Sequence, residues 1–328
     1  MQSMHRLMGL FAASLLLAPV TTTLAQDANI TQPVAELEQL LAAEPLVITQ
    51  AQISRPKAKG DITLRAEISF GGAPPLRVKL RKADPGADSF NNVPRYDLAA
   101  YQLQKLFLDP AEYVVPPTVL RMVSLADFAK VSPGVARTFS AADQVLAVVQ
   151  YWLSDIKVVA DVYSPERFAA DPVYARHIGQ LNVLTYLIGH RDSNAGNFLI
   201  GTQEAGARVF SIDNGLAFAS EGGDRGEIWK VMRVNRLPAD AVERLRTITP
   251  QLLADRLGVL AQWKLEGGRY VPVACGNNLL ENRGVRRTGG ELQMGLTKSE
   301  ILAVHRLLKK LLERVDHGEI TVVPAAGA

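Results

Sequence analysis

Two carboxylates and a carboxamide near the middle of the chain have the types and spacing that chemistry on a phosphate requires. Asp192 and Asn197 stand five residues apart in His190-Arg191-Asp192-Ser193-Asn194-Ala195-Gly196-Asn197, and Asp213-Asn214-Gly215 follows the short apolar run 209–212. Moving a phosphoryl group needs a carboxylate to orient a nucleophile and take its proton. It also needs oxygen ligands to hold a divalent ion against the phosphates. An Asp and an Asn at this separation, on a loop after a helix, can face one cleft from its two sides. A second Asp at the end of a hairpin, followed by glycine, completes a site of hard oxygen donors. The competing account is that Asp192, Asn194 and Asn197 cap helices and shape an Asn-rich turn, and that Asn214-Gly215 is an ordinary hairpin turn. His190 reads as a structural group bonding the backbone of its loop. His177, His305 and His317 lack the spacing of a metal-binding pair such as H-E-x-x-H.

These residues need a helix in front of them and a sheet beside them. Ile178, Leu181, Leu184, Leu187 and Ile188 recur at helical spacing, and Gly189 ends that helix where the loop begins. Earlier, 46–49, 62–70 and 76–80 read as strands, with Gly71-Gly72 as a turn between the last two. In the third, Leu76, Val78 and Leu80 share one face and Arg77, Lys79 and Arg81 the other. That basic face is either the solvated side of an edge strand or a functional surface. Residues 84–94 read as a loop. Residues 96–108 carry helical spacing (Leu98, Tyr101, Leu103, Leu106), and 145–153 is a buried strand. An amphipathic helix falls within 26–44 (Val34, Leu37, Leu40, Leu41), and Thr297 with Glu300 forms a capping box before a long C-terminal helix closed by Gly318. Strands first, then helices, is an α+β pattern.

The 328 residues, 48% hydrophobic and 21% charged, describe an ordinary globular chain. A net charge of +3 is too small to point to nucleic acid. The start reads as a signal peptide: Met1 to Arg6 are basic, 7–20 are apolar, and Thr23-Leu24-Ala25 forms a cleavage site. The apolar run falls short of the ~20 residues that span a bilayer. Export to the periplasm or medium is expected, with an uncleaved membrane anchor as the alternative. The single cysteine, Cys275, is neutral on this point.

His190-Arg191-Asp192 with Asn197 matches the catalytic-loop pattern H-R-D-x-x-x-x-N of protein kinases, and Asp213-Asn214-Gly215 is similar to their D-F-G element. The surroundings resemble the atypical branch more closely, that of phosphatidylinositol 3/4-kinase-like and secretory-pathway-kinase-like families and their bacterial members. There a hydrophobic helix, a D-x-x-x-x-N loop and an I-D-x-G strand end follow one another. The stretches 96–103 and 115–119 resemble the αC region of the bacterial members, so the likeness covers about residues 60 to 220. It implies Asp192 as catalytic base and Asn197 and Asp213 as metal ligands. It further implies Lys79, with Arg81 the alternative, as the strand cation on the nucleotide phosphates, and Asp97 as that cation's acidic partner. The chain departs from the pattern at three places. Asp97 replaces a Glu, Asn194 stands where protein kinases have Lys and lipid kinases His, and no G-x-G-x-x-G loop exists. Only Lys57 and Lys59 could hold phosphates at the first turn.

The resemblance implies a two-lobed protein-kinase-like fold, with a small N-terminal antiparallel sheet carrying one αC-type helix and a larger, mostly helical C-terminal lobe. The boundaries expected are 1–25 signal peptide, 26–150 N-terminal lobe, 151–322 C-terminal lobe and 323–328 flexible tail. The implied activity is a metal-dependent phosphotransferase using ATP or another nucleotide with Mg or Mn. Its acceptor could be a protein, a lipid or a small molecule, and the chain is expected to be a monomer. A catalytically inactive kinase-like binding module and a kinase-fold enzyme transferring a nucleotidyl group are the alternatives. Arg283, Arg286 and Arg287, beside Gly289-Gly290, read as a solvated loop or as a grip on an acidic substrate.

Overall fold

Alternating and β-branched sequence in the first half builds an antiparallel sheet, and helices with apolar stripes cover it. This computed structural model describes residues 28–54, 63–70, 74–89, 92–218 and 226–324. The signal-peptide reading, Lys57, Lys59 and Gly71-Gly72 lie outside the described residues. Helix α1 (Val34–Ala42) buries Leu37 and Leu41, one helical turn apart. Strands β1 (Val47–Ile53), β2 (Thr63–Ser69) and β3 (Leu76–Lys82) follow as an antiparallel meander. Next come α2 (Pro94–Gln104), β4 (Thr118–Ser124), α3 (Leu125–Val131) and β5 (Gln144–Tyr151).

The sheet order is β1-β2-β3-β5-β4, so β3 is central rather than an edge. This overturns the solvated-face reading for Arg81, 1% exposed, and Lys79, 8%, while Arg77 on the same face stays exposed. Leu80 pairs with Leu64 on one side and Val149 on the other, within an apolar cluster shared with α1 and α3. Helix α2 starts on Pro94, a residue pre-set for a first helical turn, two positions before the apolar spacing begins. It stops at Gln104, and 105–108 continue as turns whose N–H groups bond Leu103 and Gln104, while the Gln104 side-chain amide bonds the backbone of Val114 and Val115.

The second half opens with β6 (Ile156–Val158), α4 (Pro165–Ala170) and α5 (Pro172–Leu187), then β7 (Phe198–Gly201) and β8 (Val209–Ser211). The three strands form one small antiparallel sheet in the order β6-β7-β8. Helix α5 is capped by Asp171 and ends at Gly189, whose φ of +59° suits a glycine. Inside α5 the buried Asn182 accepts the N–H groups of Arg233 and Val234 and donates to the carbonyl of Val231, fixing a stretch without regular structure.

After β9 (Arg236–Pro238), α6 (Ala239–Arg246) and α7 (Pro250–Leu257), the chain makes β10 (Ala261–Glu266), β11 (Arg269–Val273), β12 (Val285–Thr288) and β13 (Glu291–Met294). These strands form a four-stranded antiparallel sheet in the order β11-β10-β13-β12. The expectation of a mostly helical second half is therefore corrected. The glycine pairs 267–268 and 289–290, all at positive φ, turn two hairpins, and the polar-apolar alternation of 262–266 and 291–294 is a strand signal that the sequence reading passed over. Arg286 lies on β12 and is fully buried, its guanidinium donating to the carbonyls of Gly258, Leu280 and Leu296. It ties chain segments together and is not open to a substrate. Helix α8 (Lys298–Asp316) forms the capping box of Thr297 and Glu300 in full, and β14 (Thr321–Val323) pairs in parallel with β9, so the expected tail begins as strand. Among the described residues no helix is long and apolar enough to cross a membrane.

Leu80→Ala should lower the free energy of unfolding by about 2–5 kcal/mol in urea titrations, the cost of a cavity in a packed core. Val47→Ala, at a half-exposed edge-strand position, should change it by less than about 0.5 kcal/mol.

Candidate functional site

The small β6-β7-β8 sheet decides which of the chemical residues meet. Phe198 pairs with Ser211 at the end of the β7–β8 ladder, and the carbonyl of Asn197 accepts the N–H of Ile212 at 2.8 Å. Asn197 and Asp213 therefore sit at the same open end of one hairpin. The loop before it is stitched to the segment after it: the N–H of Arg191 donates to Leu216 (3.0 Å) and that of Phe218 to Ile188 (2.6 Å). Asp192 is thereby held in the same neighbourhood. Its carbonyl accepts the Asn197 carboxamide at 3.0 Å, which uses the nitrogen of that side chain and leaves its oxygen as the atom suited to a cation.

His190 supports this loop from beneath. It is fully buried, packs on Phe198 with ring centroids 5.2 Å apart, and through Nδ1 accepts the N–H of Asp192 at 3.3 Å. Burial pushes its pKa from the ordinary 6.5 down to about 4. A neutral ring fits an acceptor of a backbone N–H, and this geometry is the structural role expected of it.

Asp213 adopts φ +59°, a left-handed conformation that Asp tolerates better than most residues. The turn aims its carboxylate back at the central strand: Arg81 Nη1 lies 2.5 Å from Oδ1, and Lys79 Nζ 3.7 Å from the same atom. Arg81 Nη2 also forms a short ion pair with Oδ2 of Asp97 on α2, both side chains 1% exposed. The other oxygen of Asp97 accepts the N–H of Asn214 at 2.9 Å, and Asn214 is oriented by the Ser211 hydroxyl at 2.7 Å. Of the two strand cations, then, Arg81 is the partner of Asp97. Lys79 stands nearer the open side, with its Nζ against Asp213. Burial pushes the Asp97 carboxyl upward, opposed first by Arg81, then by Lys79, and by the N–H of Asn214.

Gly215 is needed for this closeness. A Cβ there would lie 2.9 Å from Arg81 Nη2 and 3.0 Å from Nη1. The sequence suggested only a turn glycine. The glycine instead makes room for a guanidinium delivered from residue 81. Asn194, exposed, turns its side-chain oxygen onto the N–H of Gly196 at 3.2 Å, so it shapes its own loop. Three supporting residues escaped the sequence reading. Gln104 ties the end of α2 to 114–115, Ser211 joins that segment by its N–H to Val114 (2.7 Å), and Arg95 is buried against Glu300. The capping box exposed Glu300, but nothing in sequence marks its distant partner.

The oxygen donors of Asn197 and Asp213 suit a hard divalent ion. Among the described residues, no group of three or more His, Cys, Asp or Glu side chains gathers as a self-sufficient metal cage. Any ion here would need oxygens from a bound ligand, as magnesium does when it carries phosphates. Beside the loop, a cavity of about 270 Å³ is lined by Ile188, Arg191, Phe218, Lys230 and Glu300 among others. No model of a known protein family matches the chain, and no curated protein matches it in sequence.

Arg81→Ala should cost about 3–5 kcal/mol in denaturant titrations, because it strands the buried Asp97 carboxylate. The double change Arg81→Met with Asp97→Leu should recover most of that loss, and equal losses in both variants would show that the charge pairing is not what matters. The His190 shift has a worked sign. The unfolded chain binds a proton near pH 6.5 that the folded chain refuses until about pH 4, so stability is lost as pH falls through that window. The loss approaches about 3 kcal/mol. The difference in stability between native chain and His190→Asn, followed over that range, should shrink by that amount.

Proposed function

We propose that the chain is a metal-dependent phosphotransferase with a two-lobed, protein-kinase-like arrangement, moving a phosphoryl group from ATP or another nucleotide to an acceptor. The observation that carries the reading is the meeting, at one point, of a cation from the central strand, an acid from the helix packed on it, and the acid after β8. Arg81 touches Asp97 and Asp213 together, and Asn214 closes the circuit. A purely structural hairpin turn has no use for a buried guanidinium drawn from so far along the chain.

A bound nucleotide and its Mg or Mn ion would supply the group to be transferred and neutralise its charge. Asn197 and Asp213 are the residues to hold the ion through oxygen. Lys79, beside Asp213 and nearer the open side than Arg81, is the residue to meet phosphate, while Arg81 holds Asp97 and aims Asp213. Asp192, fixed through its backbone by His190 and Asn197, takes the proton of the acceptor hydroxyl. Two features favour a second reading, a nucleotide- or partner-binding module without transfer. Oδ1 of Asp213 is shared by two cations, and Asn194 brings no positive group to the transferring phosphate.

Thermal and urea unfolding of residues 26–328 with ATP, alone and with Mg²⁺ or Mn²⁺, separates these readings. At about 100 times its dissociation constant the nucleotide should add ~2.7 kcal/mol of stability, only when metal is present. Asp213→Asn, isosteric and tolerant of the left-handed backbone, should abolish the gain. Asp192→Asn should keep it and lose phosphate transfer. A gain without transfer in the native chain would select the binding module, and no gain with any nucleotide would sink the phosphotransferase reading and leave a partner-binding module.

A further inference from the structure

Two residues before Asp97, on the same first turn of α2, Arg95 runs into a slot built by the last third of the chain. Its Nη1 donates to Oε2 of Glu300 at 2.7 Å and its Nη2 to Oε1 at 2.9 Å, a two-pronged pair with Arg95 4% and Glu300 7% exposed. The neighbouring Tyr96 hydroxyl donates to the same Oε1, and Arg95 Nη1 also reaches the carbonyl of Gly295 at 3.4 Å. A glycine makes the slot possible: a Cβ on Gly284 would lie 2.1 Å from Arg95 Nε. Glu300 already has a local task, since its Oε2 accepts the N–H of Thr297 at 2.7 Å in the capping box of α8. A capping box needs only its own Thr and Glu. The buried arginine from α2 is an addition that capping does not explain.

At 3.6 residues per turn, side chains two positions apart leave a helix about 200° apart. Arg95 and Asp97 thus hold α2 from nearly opposite sides, one against the C-terminal sheet and α8, the other against Arg81 and Asn214. The rotation of α2 about its axis is set by both grips together, with Gln104 fixing the far end. We infer that Arg95 and Glu300 are positioning residues for the nucleotide site, and that the C-terminal third of the chain serves as a built-in brace that turns Asp97 toward Arg81. For the identity of the ligand this rests on the phosphotransferase reading; the brace itself rests on the contacts. Without it, part of the ordering of α2 falls to the ligand, and apparent affinity drops accordingly.

The test uses the full chain with two variants that reach the pair from opposite sides, Glu300→Gln and Gly284→Ala, so that a folding failure in one leaves the other to decide. Thr297→Ala, which weakens the α8 cap alone, is the control. Calorimetric titration with Mg-ATP should show both brace variants binding at least fivefold more weakly than the native chain, the lower range for coupling between sites. Hydrogen exchange should be faster at 95–98 and at the Asn214 amide, which Asp97 protects. Thr297→Ala should lower the unfolding midpoint and change neither. Native affinity together with native exchange at Asn214 in the brace variants would overturn the inference. If the native chain binds no Mg-ATP, the function reading falls, and exchange at Asn214 alone decides the brace: faster exchange upholds it and native exchange removes it.

Discussion

A guanidinium that has been taken out of water must be answered by carboxylates, and Arg81 is the point at which this requirement organises the molecule. It sits on the central strand of a five-stranded sheet with essentially no solvent contact, between Asp97 and Asp213. Removing such a charge from water costs several kcal/mol unless close partners with good geometry offset it. The partners come from a helix and from a strand end more than a hundred residues later. The fold must therefore bring three separate elements to one place, and the site forms where they converge. The same constraint accounts for Gly215, whose missing side chain lets the guanidinium approach the turn.

Helix α2 carries the consequences through the rest of the structure. Asp97 ties it to the central strand and the Asn214 backbone, Gln104 ties its end to 114–115, and Arg95 ties its start to Glu300. Ser211 bonds Val114, so the Gln104 tie also reaches the hairpin that presents Asn197 and Asp213. The C-terminal sheet also meets the N-terminal one where Gln144 bonds the backbone of Tyr270, whose ring packs on Phe139. The late hairpins and α8 are thus joined to α2 and to the start of β5.

The geometry of the loop depends on a neutral His190. A charged imidazole there would meet no solvent and would lose its role as acceptor of the Asp192 N–H. The support of a prospective base by a buried ring, and of a prospective metal ligand by a backbone carbonyl, places rigidity where positioning matters. Asn194, in contrast, is exposed and occupied with its own turn.

By itself the sequence determined the local elements. The spacing of 178–188 and Gly189 marks α5, Thr297 and Glu300 mark the start of α8, and the alternation of 76–80 marks β3, because each signal depends only on neighbours within one or two turns. It also placed Asp192, Asn197 and Asp213 near one another, since a helix, a loop and a hairpin separate them by short and regular steps. Tertiary structure alone decided that β3 is central, which settles that Lys79 and Arg81 are buried where the sequence left a solvated face open. It likewise chose Arg81 over Lys79 as the partner of Asp97, and it joined Arg95 to Glu300 across 205 residues. Charge on a strand looks alike whether water or a carboxylate will neutralise it. The difference lies in which elements the folded chain brings alongside, and no local pattern encodes that.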